Sequence, residues 1–217
     1  MSVKMLTFPS REDWLQARKN TIGGSDASAV VGMNPYKSNV DLWLEKTGQV
    51  TPEDISDKPY VKFGTEAEPL MRELFKMDFP EYEVFYEENN LFLNEKYPWG
   101  HYSADGWLKD QKGRFGLFEN KTTEILRSMQ KEKWNQKIPD NYYVQLVHGF
   151  LITEAEFTIM KARLKSVIDG LPYIQIRHYL IERSEVEEDI KFLQSSESDF
   201  WRSVQNKKCP ALILPEF

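Results

Sequence analysis

The sequence predicts an α/β (α+β) fold in which a central mixed β-sheet is flanked by helices. Apolar residues recur at helical spacing up to about Met77, whereas the segments that follow are short, aromatic-rich and bounded by Gly, Asn and Asp. Further along, a helix, two strand-like segments and a long charged helix complete the order. An order of helices, strands, helix, strands and helix is typical of a mixed sheet covered by helices.

Three short helices are predicted before residue 50. Ser10, Ser25 and Ser38 each stand where a side-chain oxygen can cap a helix. The helices that follow these caps are predicted at residues 14–19, 27–31 and 39–47, with Gly32 and Gly48 ending the second and third. Residues 51–59 are predicted as a polar loop.

A longer helix is predicted between Val61 and about Met77. Its apolar residues fall at helical spacing: Leu70, Met71, Leu74 and Phe75. Pro69 is unfavourable in a helix interior, so the pattern favours a helix that starts near Thr65.

The strands are predicted in two groups. The first group suggests an antiparallel meander: Glu83–Tyr86, Leu91–Leu93, His101–Leu108 and Phe115–Lys121. The elements predicted after it are a helix at Asp140–Ile152, strands at Phe157–Leu164 and Tyr173–Ile181, and a helix at Ser184–Gln205. The side chains expected to be buried on this last helix are Ile190, Leu193, Phe200 and Trp201.

The composition excludes several classes of protein. The chain has 217 residues and a net charge of −6, with a pI of about 5.3. Proteins that coat DNA with a basic surface usually have a pI above about 9, so any nucleic-acid site should be a local groove. Cys209 is the only cysteine, which excludes disulfide scaffolds, cysteine zinc sites and Fe–S clusters. No apolar run is long enough for a membrane span, and the first residues lack a signal-peptide core, so we expect an intracellular protein.

Asp105 and the segment Glu119-Asn120-Lys121 form the most informative pattern. On a strand, Glu119 and Lys121 point to the same face, and a neighbouring strand brings Asp105 close to them. Two converging carboxylates can bind a hard divalent cation, and the lysine can stabilise charge on a phosphate. The alternative is a cross-strand salt bridge at a sheet edge, which the pattern alone favours because such pairs are common.

Five segments in this order resemble the YqaJ-like viral recombinase family, which is grouped with lambda-type alkaline exonucleases in the PD-(D/E)XK nuclease superfamily. They are Gly23–Ala27, Gly64–Pro69, Ser103–Gly106, Glu119–Lys121 and Tyr142–Gln145. The resemblance runs from about Arg11 to Ile152. It implies a restriction-endonuclease-like core and a single nuclease domain over residues 1–217, with the helices of residues 10–50 packed on the core.

The resemblance implies a metal site. Asp105 and Glu119 correspond to the metal-binding carboxylates, and the backbone carbonyl of Asn120 to a further ligand. Glu68 corresponds to the carboxylate that completes a second metal site, although with Thr65 it also fits a capping box. Mg²⁺ is the expected cofactor, with two ions per site and Mn²⁺ as a substitute.

The resemblance also implies catalytic and DNA-binding side chains. Lys121 corresponds to the catalytic lysine and Gln145 to the glutamine that packs against that lysine and a water. Arg18 and Ser25 correspond to residues that hold DNA and its 5′-phosphate, and Ser103 to a small polar residue near the scissile bond. The alternative, from residue type alone, is that Arg18 is a solvated charge on a helix surface and that Ser25 is only a helix N-cap.

Two residues depart from the family pattern. Ala104 replaces the proline that commonly precedes the aspartate, and Asn120 replaces an apolar residue. Neither position supplies a ligand side chain, so both changes should be tolerated. Three further lysines remain open between a solvated loop and a DNA-backbone contact: Lys131, Lys133 and Lys137, next to Trp134.

The resemblance implies a metal-dependent 5′→3′ exonuclease on double-stranded DNA ends. It would leave 3′ overhangs for a single-strand annealing protein in phage-type recombination. A homotrimer in the cytoplasm of a bacterial host, encoded by a phage or prophage, is implied as well. The alternatives are a Cas4- or RecB-like nuclease, a restriction-type nuclease and a non-catalytic DNA-binding module.

Overall fold

The computed structural model describes residues 2–126 and 128–214. The helices are α1 Arg11–Arg18, α2 Gly24–Val30, α3 Asn39–Lys46, α4 Pro59–Asp78, α5 Ser128–Lys133, α6 Asp140–Thr153 and α7 Glu187–Gln205. The strands are β1 Val3–Thr7, β2 Glu83–Phe85, β3 Asn90–Asn94, β4 His101–Tyr102, β5 Gly106–Lys109, β6 Phe115–Glu124, β7 Phe157–Ile168 and β8 Leu171–Glu182. None of the described helices is both long and apolar enough to cross a membrane.

The strands form two sheets. The main sheet has the order β2-β5-β6-β7-β8, in which only β6 and β7 are parallel, and the smaller sheet has the order β1-β3-β4. A parallel pair requires a crossover, which α5 and α6 provide between β6 and β7. The predicted mixed sheet is confirmed. The predicted single meander is wrong, because β3 and β4 pair with β1, an exposed strand that the sequence pattern did not reveal.

Strand β6 presents its two faces to different helices. Leu117 packs in a cluster with residues of α6, whereas Phe118 packs in a cluster with a residue of α4. Side chains alternate between the two faces along a strand, so residues 119 and 121 share the face of Leu117. Glu119 and Lys121 therefore lie on the face covered by α6, and Asn120 lies on the opposite face with Phe118.

The predicted strand His101–Leu108 is interrupted at residues 103–105. The side chain of Asn90 accepts a hydrogen bond from the Ala104 backbone N–H at 2.8 Å and donates one to the Ala104 carbonyl at 2.9 Å. Because Ala104 uses both backbone groups in this way, the segment leaves the strand pairing. Residues 101–102 stay in the smaller sheet and residues 106–109 join the main one.

Helix α4 begins six residues earlier than the predicted start. Pro59 occupies the first helical turn, where its missing N–H costs nothing and its fixed φ favours the helix. Pro69 lies inside the helix on its exposed side. Thr65 lies within the helix, and its hydroxyl donates to the carbonyl of Val61. The capping-box interpretation of Thr65 and Glu68 is therefore wrong.

Helices α2 and α6 approach each other closely around Tyr102. A Cβ on Gly24 would lie 3.1 Å from the Tyr102 ring, and a Cβ on Gly149 would lie 3.0 Å from it. Glycine at these two positions thus makes room for the ring between the helices. Helix α7 packs on α6, with Ile190, Leu193 and Phe200 buried as predicted and Trp201 only partly buried.

Candidate active site

One polar cavity of about 380 Å³ collects almost all of the predicted site residues. Its lining includes Arg18, Ser25, Glu68, Ser103, Asp105, Glu119, Lys121 and Gln145. Asn120 lines an adjoining cavity of about 270 Å³, together with Glu68, Asp105 and Lys121. The fold therefore brings into one place residues that are up to 127 positions apart in the sequence.

Glu119 lies at the centre of a hydrogen-bond network. Its Oε1 accepts hydrogen bonds from Lys121 Nζ and from Gln145 Nε2, each at 2.6 Å. Its Oε2 accepts one from the hydroxyl of Tyr102, also at 2.6 Å. The carboxylate is only 1 % exposed, and these donors stabilise a charge that would otherwise be costly to bury. The predicted cross-strand salt bridge at a sheet edge is wrong, because Glu119 and Lys121 form their ion pair within β6, the middle strand of the main sheet.

Asp105 is the last residue of the segment 103–105 that interrupts the predicted strand, and its side chain points to β6. Its Oδ2 accepts a hydrogen bond from the Asn120 backbone N–H at 2.7 Å. Burial raises the pKa of Asp105 well above its ordinary value, and the negative charges of Glu119 and Glu68 raise it further. Three carboxyl groups thus repel one another at one side of the cavity.

Glu68 reaches the cavity from α4. Arg72, one helical turn further on, donates from Nη1 to Glu68 Oε1 at 2.9 Å and also donates to the carbonyl oxygen of Asp105. Burial raises the pKa of Glu68, while Arg72 partly offsets that effect. Arg72 therefore ties α4 to the segment that carries Asp105.

Lys121 is the positive group among these carboxylates. Burial alone would lower its pKa, but Glu119 and Asp105 outweigh burial and raise it. The ammonium group also lies 5.3 Å from the centre of the Tyr142 ring, which faces it from α6. Lys121 is thus held in its charged form.

The predicted DNA-binding residues lie at the side of the cavity formed by α1 and α2. Arg18 is partly buried and stacks on the Trp14 ring at 4.0 Å. Ser25 is in the first turn of α2, but the N-cap is Gly23, whose N–H donates to Asp26. The interpretation of Ser25 as an N-cap is therefore wrong. The hydroxyl of Ser103 is buried without a hydrogen-bond partner.

The unusual residue Asn120 is buried with its polar side-chain atoms unpaired. Neither Oδ1 nor Nδ2 makes a hydrogen bond. An unpaired buried amide is unfavourable, so an apolar side chain would suit this position better.

Sequence reasoning missed several residues that hold the site together: Trp14, Arg72, Asn90, His101 and Tyr102. Arg72 could have been found from the sequence, because an arginine four residues after a glutamate on a helix predicts an ion pair. Tyr102, Asn90 and Trp14 act on residues that are distant in sequence, so no local pattern marks them.

The oxygen-only donor set determines which metals suit the cavity. No group of three His, Cys, Asp or Glu side chains in residues 2–126 and 128–214 is placed to hold a metal ion by itself. Mg²⁺ needs only one or two carboxylates besides water and phosphate oxygens. Asp105 and Glu119 meet that requirement, and a cation would relieve the repulsion among the three carboxyl groups.

Comparison with known proteins identifies the family. A chain from Bacillus subtilis strain 168, the protein YqaJ, is 30% identical over 204 residues, which cover 94% of this chain. This chain spans 59% of the length of that relative.

Two solved structures share the fold. LHK-Exo in complex with dAMP superposes with a TM-score of 0.62 at 18% identity, over 91% of this chain and 94% of the other. The alkaline exonuclease LHK-Exo from Laribacter hongkongensis gives a TM-score of 0.61 at 17% identity, with the same coverage. This likeness confirms the predicted restriction-endonuclease-like core. The family model of the YqaJ-like viral recombinase domain matches residues 13–156, which include every predicted site residue that lines the cavity, and the chain belongs to that family.

Proposed function

We propose that the protein is a Mg²⁺-dependent exonuclease that digests one strand of double-stranded DNA ends in the 5′→3′ direction. The observation that carries this proposal is the convergence of Asp105, Glu119, Lys121 and Gln145 in one polar cavity. A DNA-binding module without catalysis has no need for a partly buried lysine held between carboxylates. The likeness of the fold to an alkaline exonuclease supports the same activity.

The metal would be held by oxygen atoms alone. Asp105, Glu119 and the Asn120 carbonyl would hold one ion, and Glu68 would contribute to a second. Mg²⁺ bound there would supply an activated water and neutralise negative charge on the phosphate. Tyr102 and Gln145 keep the Glu119 carboxylate in one orientation, so the ligand is in place before the substrate arrives.

Lys121 would act directly on the substrate. With Nζ protonated, it donates a hydrogen bond to a phosphate oxygen and stabilises the charge that develops during attack. Water adds to phosphorus, the bond between phosphorus and the 3′ oxygen of the terminal nucleotide breaks, and that oxygen takes up a proton. The products are a mononucleotide and a duplex that again carries a 5′-phosphate. Binding of dAMP by LHK-Exo supports a mononucleotide product of this kind.

The polarity follows from a 5′-phosphate site at the α1 side of the cavity. Arg18 and Ser25 line the cavity there, and Ser103 adds an unpaired hydroxyl. A terminus held at that side would place the next phosphodiester bond at Asp105 and Glu119.

The experiment that tests this function compares linear and closed circular duplex DNA in the presence of Mg²⁺. We expect mononucleotides from the linear duplex only, with loss of a 5′ label preceding loss of a 3′ label. Cleavage of the circle would indicate a restriction-type nuclease, digestion from the 3′ label another nuclease of this fold, and binding without cleavage a non-catalytic module.

The partners are proposed from the family resemblance. A single-strand annealing protein would load on the 3′ overhang, in the cytoplasm of a bacterial host of the phage or prophage that encodes the nuclease. We propose a homotrimeric ring of single-domain subunits, which would let a protein of net charge −6 stay on DNA by turning its few free cations inward. Light scattering at micromolar concentration should give three times the subunit mass, and a monomer that digests processively would contradict the ring.

A further inference from the structure

Arg18 is a partly buried cation on the cavity wall. The nearby carboxylate of Asp26 forms its ion pair with Lys46, at 2.8 Å. Within residues 2–126 and 128–214, Arg18 has no ion pair with a carboxylate. Burial lowers the pKa of Arg18, and the nearby charge of Asp26 offsets this effect only in part. A partly desolvated guanidinium that lines a cavity without a carboxylate in contact suits an anionic ligand.

His101 determines where the Arg18 guanidinium can point. The Nε of Arg18 donates to Nε2 of His101 at 3.2 Å, and neither terminal nitrogen of the guanidinium has a hydrogen-bond partner in the part of the chain that the structure describes. The stacking of Arg18 on Trp14 limits its remaining freedom. Because Nε2 accepts this hydrogen bond, the proton of the neutral ring is on Nδ1, which donates to Thr21 Oγ1 at 2.7 Å. Burial and the charge of Arg18 lower the pKa of His101 to about 3, so the ring stays a neutral acceptor.

The ring of His101 is itself fixed from two sides. A Cβ on Gly23 would lie 2.8 Å from Nε2, so glycine at this position leaves the space that the ring occupies. The His101 carbonyl accepts a hydrogen bond from His148 Nε2 at 2.8 Å, and His148 Nδ1 is paired with Glu197 at 2.6 Å. His148 and Glu197 are completely buried. A rigid support thus extends from α7 through α6 to His101.

We propose that His101 is a positioning residue that directs Arg18 at the 5′-phosphate of the DNA substrate. The proposal rests on the proposed function and adds a residue with no part in the chemistry of cleavage. Without the acceptor at Nε2, the guanidinium can rotate on the Trp14 ring, and its terminal nitrogens no longer point toward the phosphate. The consequence should be specific to substrates that carry the terminal phosphate.

The test compares His101→Leu, His101→Gln and wild type on duplexes with a 5′-phosphate or a 5′-hydroxyl end. We expect His101→Leu to lower kcat/KM on the phosphorylated end by about tenfold, mainly through KM, with little change on the hydroxyl end. Glutamine places an acceptor oxygen near the position of Nε2, so His101→Gln should restore much of the preference. His178→Leu is the matched control, because His178 packs on Phe79 and does not line the cavity.

Three outcomes would overturn the proposal: equal slowing of His101→Leu on the two ends, an unchanged preference, or no rescue by glutamine. If His101→Leu fails to fold, Thr21→Val removes the acceptor for Nδ1–H and should lower the preference in the same direction. Fluorescence anisotropy can measure the binding of the two duplexes in the presence of Ca²⁺. This measurement tests the role of His101 independently of the proposed catalytic function. A preference for the 5′-phosphate that depends on His101 would be seen there even without cleavage, and its absence would reject the proposal.

Discussion

Glu119 shows how a single buried carboxylate can have both of its oxygens hydrogen-bonded. Its three donors come from β4, β6 and α6, so no single element orients it. Tyr102 is the least expected of them. Its hydroxyl donates to Glu119, and because the carboxylate is negative and Tyr102 is buried, the pKa of the phenol is raised well above its ordinary value. Tyr102 is therefore a permanent donor at any working pH.

At the same scale, Asp105→Asn should abolish cleavage while DNA binding persists. An amide oxygen holds a divalent cation far less well than a carboxylate, and removal of negative charge does not weaken attraction to phosphate. We expect a loss of at least about a hundredfold in kcat. Steady-state digestion with Mg²⁺ and binding with Ca²⁺ measure the two effects.

Glu119→Gln should lose activity as well. It should also lower the free energy of unfolding, because the amide N–H₂ group cannot accept the hydrogen bonds that the three donors now give to the carboxylate. Glu95→Gln is the matched control, since Glu95 is exposed and its ion pair is with Lys4.

For the Asp105→Asn variant, cleavage at the wild-type rate would show that the carboxylate of Asp105 is structural.

Asn120→Leu should raise the free energy of unfolding. The buried amide of Asn120 lacks hydrogen-bond partners, and leucine has the same branching of side-chain heavy atoms without polar atoms. The gain should be about 1–3 kcal/mol, the usual cost of an unpaired buried polar group. Urea unfolding measures it, and a loss of stability would mean that the amide has a partner such as a bound water.

At the scale of elements, the segment of α5 and the residues after it lies next to the site. Trp134 is buried and its ring lies 5.6 Å from that of Tyr142, which in turn faces Lys121. The neighbouring lysines are exposed and, among the described residues, have no carboxylate partner: Lys131, Lys133 and Lys137. Trp134 thus anchors a segment whose cations remain available.

Replacement of these three lysines by alanine should weaken duplex binding. Each lost phosphate contact should reduce the slope of log K against log salt by about 0.9. The double variant Lys109→Ala/Lys112→Ala is the control, because it removes charges at the end of β5 and in the turn that leads to β6. Anisotropy titrations from low to moderate salt give the slopes. Equal slopes for the triple variant and wild type would assign the lysines to a solvated loop.

At the scale of the whole molecule, the buried pair of His148 and Glu197 joins α6 to α7. Burial by itself lowers the pKa of His148, but the Glu197 carboxylate outweighs burial and raises it. A histidine with a raised folded-state pKa stabilises the protein fully below its unfolded pKa of about 6.5. This contribution is lost as the pH rises through the folded-state value.

Wild-type stability should therefore fall as the pH rises above about 6.5 through the folded-state pKa of His148, apart from the titration of other groups. Glu197→Gln should flatten this dependence and lower stability by about 3–5 kcal/mol, because it leaves one member of the pair unpartnered. Urea unfolding of both proteins between pH 5.5 and 8.5 measures the difference. Parallel pH profiles would show that the pair does not titrate with folding.

Some features follow from the sequence alone because they depend on neighbours within a few residues. The caps at Ser10 and Ser38 start α1 and α3 as predicted, since the acceptor and the N–H that it binds are three residues apart. The shared face of Glu119 and Lys121 follows from the alternation of a strand. The family motifs, read in order, indicated the carboxylates, the lysine and the glutamine that line the cavity, but not Trp14, Asn90 or Tyr102 beside them.

Other features are decided only by contacts between distant parts of the chain. Asn90 interrupts the strand that the pattern predicts at residues 101–108, because a side chain from β3 binds both backbone groups of Ala104. Tyr102 and His101 acquire their roles from Glu119 and Arg18, residues that are 17 and 83 positions away. The sequence by itself determined most of the described helices, although neither α5 nor the start of α4, together with the strand alternation and the candidate chemistry. The tertiary structure decided how the strands divide into two sheets and which side chains hold the site, because those depend on packing across the fold and not on local spacing.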